Sequence, residues 1–146
     1  MFTSDYTLDR FLKAQEHRYS TALQEIRNGR KRTHWVWFIF PQIKGLGKSI
    51  ASNKYAIRDL DEAKEYLNND ILRSRLIEIS GALLEQNADI KSIMGSPDHL
   101  KVCSCMTLFM KADPSITVFS DVLNKFYNGI PDRKTLELLG NNLNRL

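Results

Sequence analysis

The segment from Ser96 to Met110 constrains the fold of this chain more than any other. Ser96, Pro97 and Asp98 predict the start of a helix, because proline suits the first helical position and an acidic side chain suits the first turn. The apolar residues that follow lie around nearly the whole circumference of that helix: Leu100, Val102, Cys103, Met106, Leu108, Phe109 and Met110. A helix that is apolar on all sides is a buried one. We therefore predict that this helix runs through the middle of the core.

Helical spacing recurs along the rest of the chain. Apolar residues at three- and four-residue intervals predict one long amphipathic helix from Thr7 to Asn28, with Gly29 as its C-terminal stop. Further helices are predicted to begin after capping or chain-breaking residues, namely Ser49 or Ser52, Asp59, Asp70, Ser115 and Asp132. The helix after Asp132 is predicted to be short. No repeat, linker or shift in composition marks a second domain. We predict an all-α fold in which residues 1–146 form one compact domain of seven or eight helices around the buried central helix.

Composition narrows the class of protein. With 146 residues, of which 42% are hydrophobic and 26% are charged, the chain has the size and balance of a single globular domain. No apolar run approaches the roughly 18 residues of a membrane span, and the N-terminus lacks the basic and apolar regions of a signal peptide. Cys103 and Cys105 would face different sides of one helix, which suits a reducing compartment. We therefore expect a cytoplasmic protein with no membrane partner.

A dense aromatic segment runs from Thr33 to Pro41. Its six consecutive apolar residues suit either a buried strand or a short buried helix, and we favour a helix that Thr33 caps and Pro41 ends. His34, Trp35 and Trp37 fall within it, next to basic residues and a glycine loop. Tryptophan stacks on flat ligands and lysine or arginine neutralises phosphates, so a pocket for a flat anionic ligand is one interpretation. Burial of the tryptophans in the core is the other, and we expect it to hold for one of them.

The loop that contains Gly45, Gly47, Lys48 and Ser49 resembles the end of a phosphate-binding P-loop. That motif needs a glycine where this chain has Gln42, and the alternating strands of the parent fold are absent from the pattern. We therefore predict no magnesium-dependent ATP hydrolysis. Two interpretations remain: backbone amides of the loop bind an anion beside Lys48, or the loop is a structural turn.

His99 and Cys103 lie four residues apart and would share one face of the central helix. Such a pair could ligate a metal or act as base and nucleophile. Neither His17 nor His34 has a second ligand at metal-binding spacing, and a buried cysteine is commonly a small core side chain. We predict neither a metal nor another cofactor.

The basic, aromatic and glycine-loop residues also carry a resemblance, together with a later segment of the central helix. They are Lys31, His34, Trp35, Trp37, Phe38, Phe40, Pro41, Gln42, Gly45, Leu46, Gly47, Ser49, Tyr55, Lys101, Ser104, Met106, Thr107, Leu108 and Phe109. From about Leu8 to Leu139 the chain resembles the domain-of-unknown-function family DUF1810, which is sometimes labelled calpastatin although these residues do not support that label. The resemblance implies a small all-α fold of bacterial type and no established activity. Where the family has two adjacent serines, this chain has Ser104 followed by Cys105.

A more distant likeness, through the same basic and aromatic block, is to the helical family that processes ADP-ribose derivatives. It points to the ligand class that the residue chemistry suggests. Net charge of +4 and a pI near 9.1 fit an anionic ligand but lack the clustered basicity of a dedicated nucleic-acid binder.

These observations lead to three hypotheses of function. The first is the binding or processing of a phosphorylated nucleotide-type ligand, of the ADP-ribose or NAD class. Its predicted ligand-binding residues are Lys31, Trp35, Trp37, Gln42, Gly45, Gly47, Lys48, Ser49, Tyr55 and Lys101, with His34 and Ser104 as the catalytic candidates. The second is a protein-interaction module that uses the aromatic block. The third is a weak nucleic-acid binder that uses the basic stretch from Arg27 to Arg32. The first hypothesis requires these distant residues to converge around a cavity.

Overall fold

The protein is all-α over the part of the chain that the computed structural model describes, residues 7–144, with side chains described as far as residue 140. Ten helices lie in these residues: α1 (Asp9–Glu16), α2 (Tyr19–Arg27), α3 (Val36–Ile39), α4 (Ile50–Lys54), α5 (Leu60–Asn68), α6 (Asp70–Leu84), α7 (Ile90–Met94), α8 (Asp98–Ala112), α9 (Val118–Phe126) and α10 (Arg133–Asn144). The extended backbone pairs once among the described residues, at a single parallel bridge between Ile43 and Ile57. None of the described helices has the length and hydropathy that crossing a bilayer requires.

Helix α8 is the predicted central helix. It packs against α5, α7, α9 and α10, and both Met106 and Phe109 are fully buried. The Phe109 ring lies 5.0 Å from the Tyr66 ring and 6.0 Å from the Phe119 ring, measured between centroids. The helix is exposed near its two ends, at Leu100, which is 57% exposed, and at Lys111. Pro97 precedes the helix as its N-cap and does not occupy the first helical position that the sequence predicted.

The predicted long helix from Thr7 to Asn28 is wrong, because the chain breaks into α1 and α2 at His17 and Arg18. Helix α1 packs mainly on α3, whereas α2 packs on α6, so the two halves follow different partners. Buried Gln15 holds the end of α1 in place, since its amide donates to the Phe38 carbonyl at 2.8 Å and to the Tyr66 hydroxyl at 3.1 Å. One straight helix would not pack on both α3 and α6 in this way.

Local capping signals were better guides than long periodicity. Ser49 accepts a hydrogen bond from the Ser52 amide and begins α4, and Asp59 accepts one from the Glu62 amide and begins α5. Gly29, at φ +86°, follows the end of α2 as predicted. Helix α7, which Asp89 caps, was not predicted, and α10 is longer than the short helix expected after Asp132.

The aromatic segment is helical, as favoured, but it is not capped by Thr33. Helix α3 begins only at Val36, after Trp35. The Thr33 hydroxyl instead donates to the buried carboxylate of Glu25 at 2.7 Å. That carboxylate also accepts from the Arg32 amide at 2.7 Å, the Thr33 amide at 3.0 Å and the Trp35 indole at 2.9 Å. We call this arrangement the Glu25 socket.

The Glu25 socket holds the chain between α2 and α3. Burial by itself would raise the pKa of Glu25, but the hydrogen bonds from Arg32, Trp35 and Thr33 outweigh burial and lower it to about 2. The socket thus fixes the backbone of Arg32 and Thr33 and the Trp35 indole before α3.

Candidate functional site

A cavity of about 230 Å³ lies between the chain that follows α3 and the N-terminal half of α8. Its lining residues come from four separate parts of the chain: Trp37, Gln42, Leu46, Gly47, Pro97, Leu100, Lys101, Ser104 and Asp132. Five of them belong to the predicted site, namely Trp37, Gln42, Gly47, Lys101 and Ser104. We call this space the Gln42 cavity. The structure thus brings together residues that are as far apart in sequence as Trp37 and Ser104.

Gln42 is the most unusual residue of the wall. Its side chain lines the cavity, the residue is only 8% exposed, and its amide nitrogen Nε2 has no hydrogen-bond partner among the described residues. The backbone is held in place, because its carbonyl accepts from the Ile57 amide at 2.8 Å. A buried donor without an acceptor costs about 1–3 kcal/mol. A water, an ion or a ligand that accepts a hydrogen bond from this amide would remove that cost.

A second, much smaller space lies behind Gln42. It measures about 10 Å³ and is bordered by Gln42, Ser52 and Tyr55 among others. That volume is close to the least that can hold one water molecule. A water there is the structural alternative to a ligand as the partner of the Gln42 amide.

Lys101 forms the charged wall of the cavity. Its ammonium lies 4.1 Å from the centroid of the Trp37 ring and 2.9 Å from Asp98 Oδ1. The other oxygen of Asp98 is 2.9 Å from the ammonium of Lys31, whose side chain is only 7% exposed. Burial tends to raise the pKa of Asp98, but hydrogen bonds from Lys101 and Lys31 lower it. One carboxylate therefore serves two lysines, and this group of three carries a net charge of +1, which the carboxylate of Asp132 in the cavity wall offsets.

Ser104 and Asp132 supply the remaining polar wall. The Ser104 hydroxyl donates to the Leu100 carbonyl at 3.3 Å and keeps its lone pairs for another donor. Asp132 Oδ2 accepts from the Thr135 amide at 2.9 Å and the Thr135 hydroxyl at 2.6 Å, which starts α10. Asp98 and Asp132 were missed as site residues. Their sequence signals, an acid in a first turn and an acid before a helix, are the same for a purely structural cap.

Gly47 is required by the close packing of the loop. A Cβ atom built on it would lie 2.5 Å from the Cβ of Ser52 and 3.4 Å from the Trp37 ring. Because the first distance is far inside van der Waals contact, only glycine allows the loop to pass between α4 and Trp37. We predicted that Gly47 lets the loop approach an anion. The close packing alone explains why this residue is glycine, and no bound anion is needed.

The other predicted residues lie outside the cavity. His34 and Lys48 are exposed and do not line it, Ser49 caps α4, and Gly45, at φ +109°, packs against Leu138. Trp35 is 1% exposed and donates to Glu25, so it is the tryptophan that belongs to the core. Tyr55 lies behind Gln42, and Lys31 reaches the site only through Asp98.

Groups suited to nucleophilic catalysis are scarce in the lining. None of the described histidines lines the cavity. Burial raises the pKa of the Cys103 thiol to about 11, with a further contribution from Asp132, and burial raises that of Cys105 well above its usual value. Both cysteines are free. Within the described ranges, no group of three or more histidine, cysteine, aspartate or glutamate side chains is placed to hold a metal ion.

Comparison with known proteins relates the chain to proteins without an assigned activity. No curated protein matches it. It is similar to the crystal structure of the conserved hypothetical protein Rv1873 from Mycobacterium tuberculosis, with 45% sequence identity and a TM-score of 0.89 over 91% of this chain and 96% of that one. The more distant likeness to the ADP-ribose-processing family is not borne out. A family model matches residues 5–139, and the chain therefore belongs to DUF1810, described as a protein of unknown function.

Proposed function

We propose that the Gln42 cavity binds a phosphorylated nucleotide-type ligand. The observation that carries the proposal is the unpaired amide of Gln42 in the wall of a cavity that also contains an ammonium group. Nε2 itself is buried, so binding requires a rotation about the last bond of the Gln42 side chain, which is a soft torsion. A ligand acceptor there would supply the partner that the protein does not.

The donors and acceptors of the wall favour this class of ligand. Lys101 donates one of its three N–H groups to Asp98, which leaves two for phosphate or carboxylate oxygens. Asp132 and Ser104 offer oxygen atoms that suit the hydroxyl groups of a sugar or the amino group of a base. A ligand that carries both phosphate oxygens and hydroxyl or amino donors matches both sides.

The size of the cavity limits how much of the ligand is enclosed. About 230 Å³ is below the roughly 300–1,000 Å³ of typical ligand pockets. We therefore expect one sugar phosphate or one base to be enclosed, while the rest of an ADP-ribose or NAD molecule lies outside. Stacking on Trp37 is restricted as well, since the Lys101 ammonium occupies one face of the ring.

Binding is better supported than catalysis. Ser104 has no histidine beside it in the lining, and His34 is exposed away from the cavity. The nucleic-acid hypothesis is weakened because Lys31, one of the four cations of the basic stretch, faces Asp98 instead of solvent. The interaction-module hypothesis retains one supporting observation, the exposure of two apolar residues: Leu100, in the cavity wall, at 57% and Ile130 at 65%.

A thermal-shift and calorimetric titration with AMP, ribose 5-phosphate and ADP-ribose tests the proposal. A ligand at a hundred times its dissociation constant should stabilise the protein by about 2.7 kcal/mol. Gln42→Met should abolish that response without lowering the melting temperature, because it removes an unpaired buried donor while keeping the volume. Lys101→Met should also abolish it, and Lys111→Met, at an exposed position of the same helix, is the matched control. An unchanged response in Gln42→Met, or no response to any of the three compounds, would refute the proposal.

A further inference from the structure

A different cavity, an open groove of about 760 Å³, lies elsewhere on the described surface. It is lined by Arg10, Lys44, Ile50, Asn53, Lys54, Ala56, Arg58 and Glu62 and shares no residue with the Gln42 cavity. Four of its eight lining residues are cationic and one is acidic. We call it the basic groove.

The floor of the basic groove is an electrically neutral and closed network. Arg10 and Glu62 are buried, and the Arg10 Nη2 atom lies 3.0 Å from Glu62 Oε1. The other guanidinium contacts are to the carbonyls of Thr7, Lys54 and Ala56 and to the second oxygen of Glu62. These bonds use the whole donor set of the guanidinium, so Arg10 holds the groove in shape and has no donor left for a ligand.

The walls of the basic groove carry charge that the floor does not neutralise. Lys44 and Lys54 are exposed, and within residues 7–140 no carboxylate lies within 4.0 Å of either ammonium. Arg58 is half exposed and shares Asp59 and Glu62 with other partners, at 3.4 Å and 3.7 Å. Asn53, next to Lys54 in α4, adds an exposed amide to the lining. Like charges gathered around one concavity repel each other and attract a compensating anion.

We propose that the basic groove is a binding site for a ligand that carries two or more phosphate groups. Several lysines act as point charges that tolerate different phosphate geometries, and a guanidinium can bind phosphate oxygens in pairs. The volume lies inside the range of small-molecule sites. No aromatic side chain is among its lining residues, and proteins that bind single-stranded nucleic acid rely on aromatic stacking platforms. The lining therefore favours a small oligophosphate compound over a single-stranded nucleic acid.

The test is an NMR titration of the isotope-labelled full chain with tripolyphosphate at constant ionic strength. We expect the largest shifts at the backbone amides of Lys44, Asn53, Lys54 and Arg58. The double variant Lys44→Gln with Lys54→Gln should bind about tenfold more weakly, as expected for the loss of two direct phosphate contacts. The double variant Lys64→Gln with Lys111→Gln removes the same charge from exposed positions elsewhere and should bind as the wild type does.

Three results would overturn the proposal. The first is equal weakening in both double variants, which would indicate non-specific charge attraction. The second is a set of NMR shifts that lie outside the groove, or no shifts at all. The third is tighter binding per phosphate of a single-stranded oligonucleotide than of tripolyphosphate. The inference stands independently of the proposed function. The Lys44 and Lys54 variants leave the Gln42 cavity intact, and Gln42→Met leaves the basic groove intact, so either proposal can fail alone.

Discussion

The Glu25 socket and the Gln42 cavity present the same problem with opposite outcomes. Each places a polar side chain at 8% exposure beside a tryptophan of the aromatic segment. The Glu25 carboxylate accepts four hydrogen bonds, whereas the Gln42 amide nitrogen has no partner among the described residues. Buried polar groups that are fully paired stabilise a fold, and those that are not paired lower its stability. The difference separates a structural carboxylate, Glu25, from an amide that our proposal assigns to ligand binding, Gln42.

The largest test of this comparison is Glu25→Ala. The substitution leaves the Arg32 amide, the Thr33 amide and the Trp35 indole without their acceptor, so we expect a loss of about 3–5 kcal/mol in the free energy of unfolding. Urea unfolding of the variant beside the exposed control Glu16→Ala measures it. A loss equal to that of the control would show that the socket is not structural.

Lowering the pH should also measure how much the Glu25 socket contributes to stability. The pKa of Glu25 falls from 4.5 to about 2 on folding, so its contribution is complete above pH 4.5 and is lost as the pH falls toward 2. A shift of this size corresponds to about 3 kcal/mol. Unfolding curves from neutral pH to pH 3 should therefore fall more steeply for the wild type than for Glu25→Gln. Parallel curves would place the acid sensitivity elsewhere.

Asp98→Asn should have an intermediate effect, because Asp98 belongs to both kinds of region. It would leave the mostly buried Lys31 ammonium without its carboxylate, and we expect a loss of about 1–3 kcal/mol in the free energy of unfolding. It would also release Lys101 from its position over Trp37. Tryptophan fluorescence should report that release, and Asp121→Asn, at an exposed position of α9, is the control. Unchanged fluorescence together with unchanged stability would contradict this role.

Gln42→Met should have the smallest effect and the most informative sign. We expect the free energy of unfolding to stay constant or to rise by about 1 kcal/mol, since an unpaired donor is removed. Thermal and urea unfolding without ligand measure it. A loss of more than about 1 kcal/mol would mean that a buried water already pairs the amide, and the contrast with Glu25 would then disappear.

Prediction from the sequence succeeded where the signal was local or very strong. The apolar circumference of α8 needed no knowledge of its neighbours, and the caps Ser49 and Asp59 act within one turn of chain. It failed where two surfaces compete for one segment, as at the break after Glu16. The stripe before that break ends at Leu12 and resumes at Tyr19, which was the available sign of a break.

The candidate site was predictable only in part. Trp37, Gln42 and Lys101 converge as expected, whereas His34 and Lys48, chosen by the same chemical reasoning, point to solvent. A histidine or lysine has the same pattern in a sequence whether it faces a cavity or water. Which of them faces inward depends on the tertiary packing around each residue, which the local sequence does not record.

The sequence by itself determined the helical class, the central position of α8 and most of the helix starts, because these depend on the periodicity of apolar residues and on hydrogen bonds within a single turn. Only the tertiary structure decided that Glu25 finds four donors, that Gln42 lacks an acceptor, and that Asp98 joins two lysines. Whether a buried polar group is paired is a property of atoms from distant parts of the chain, and no local pattern records it.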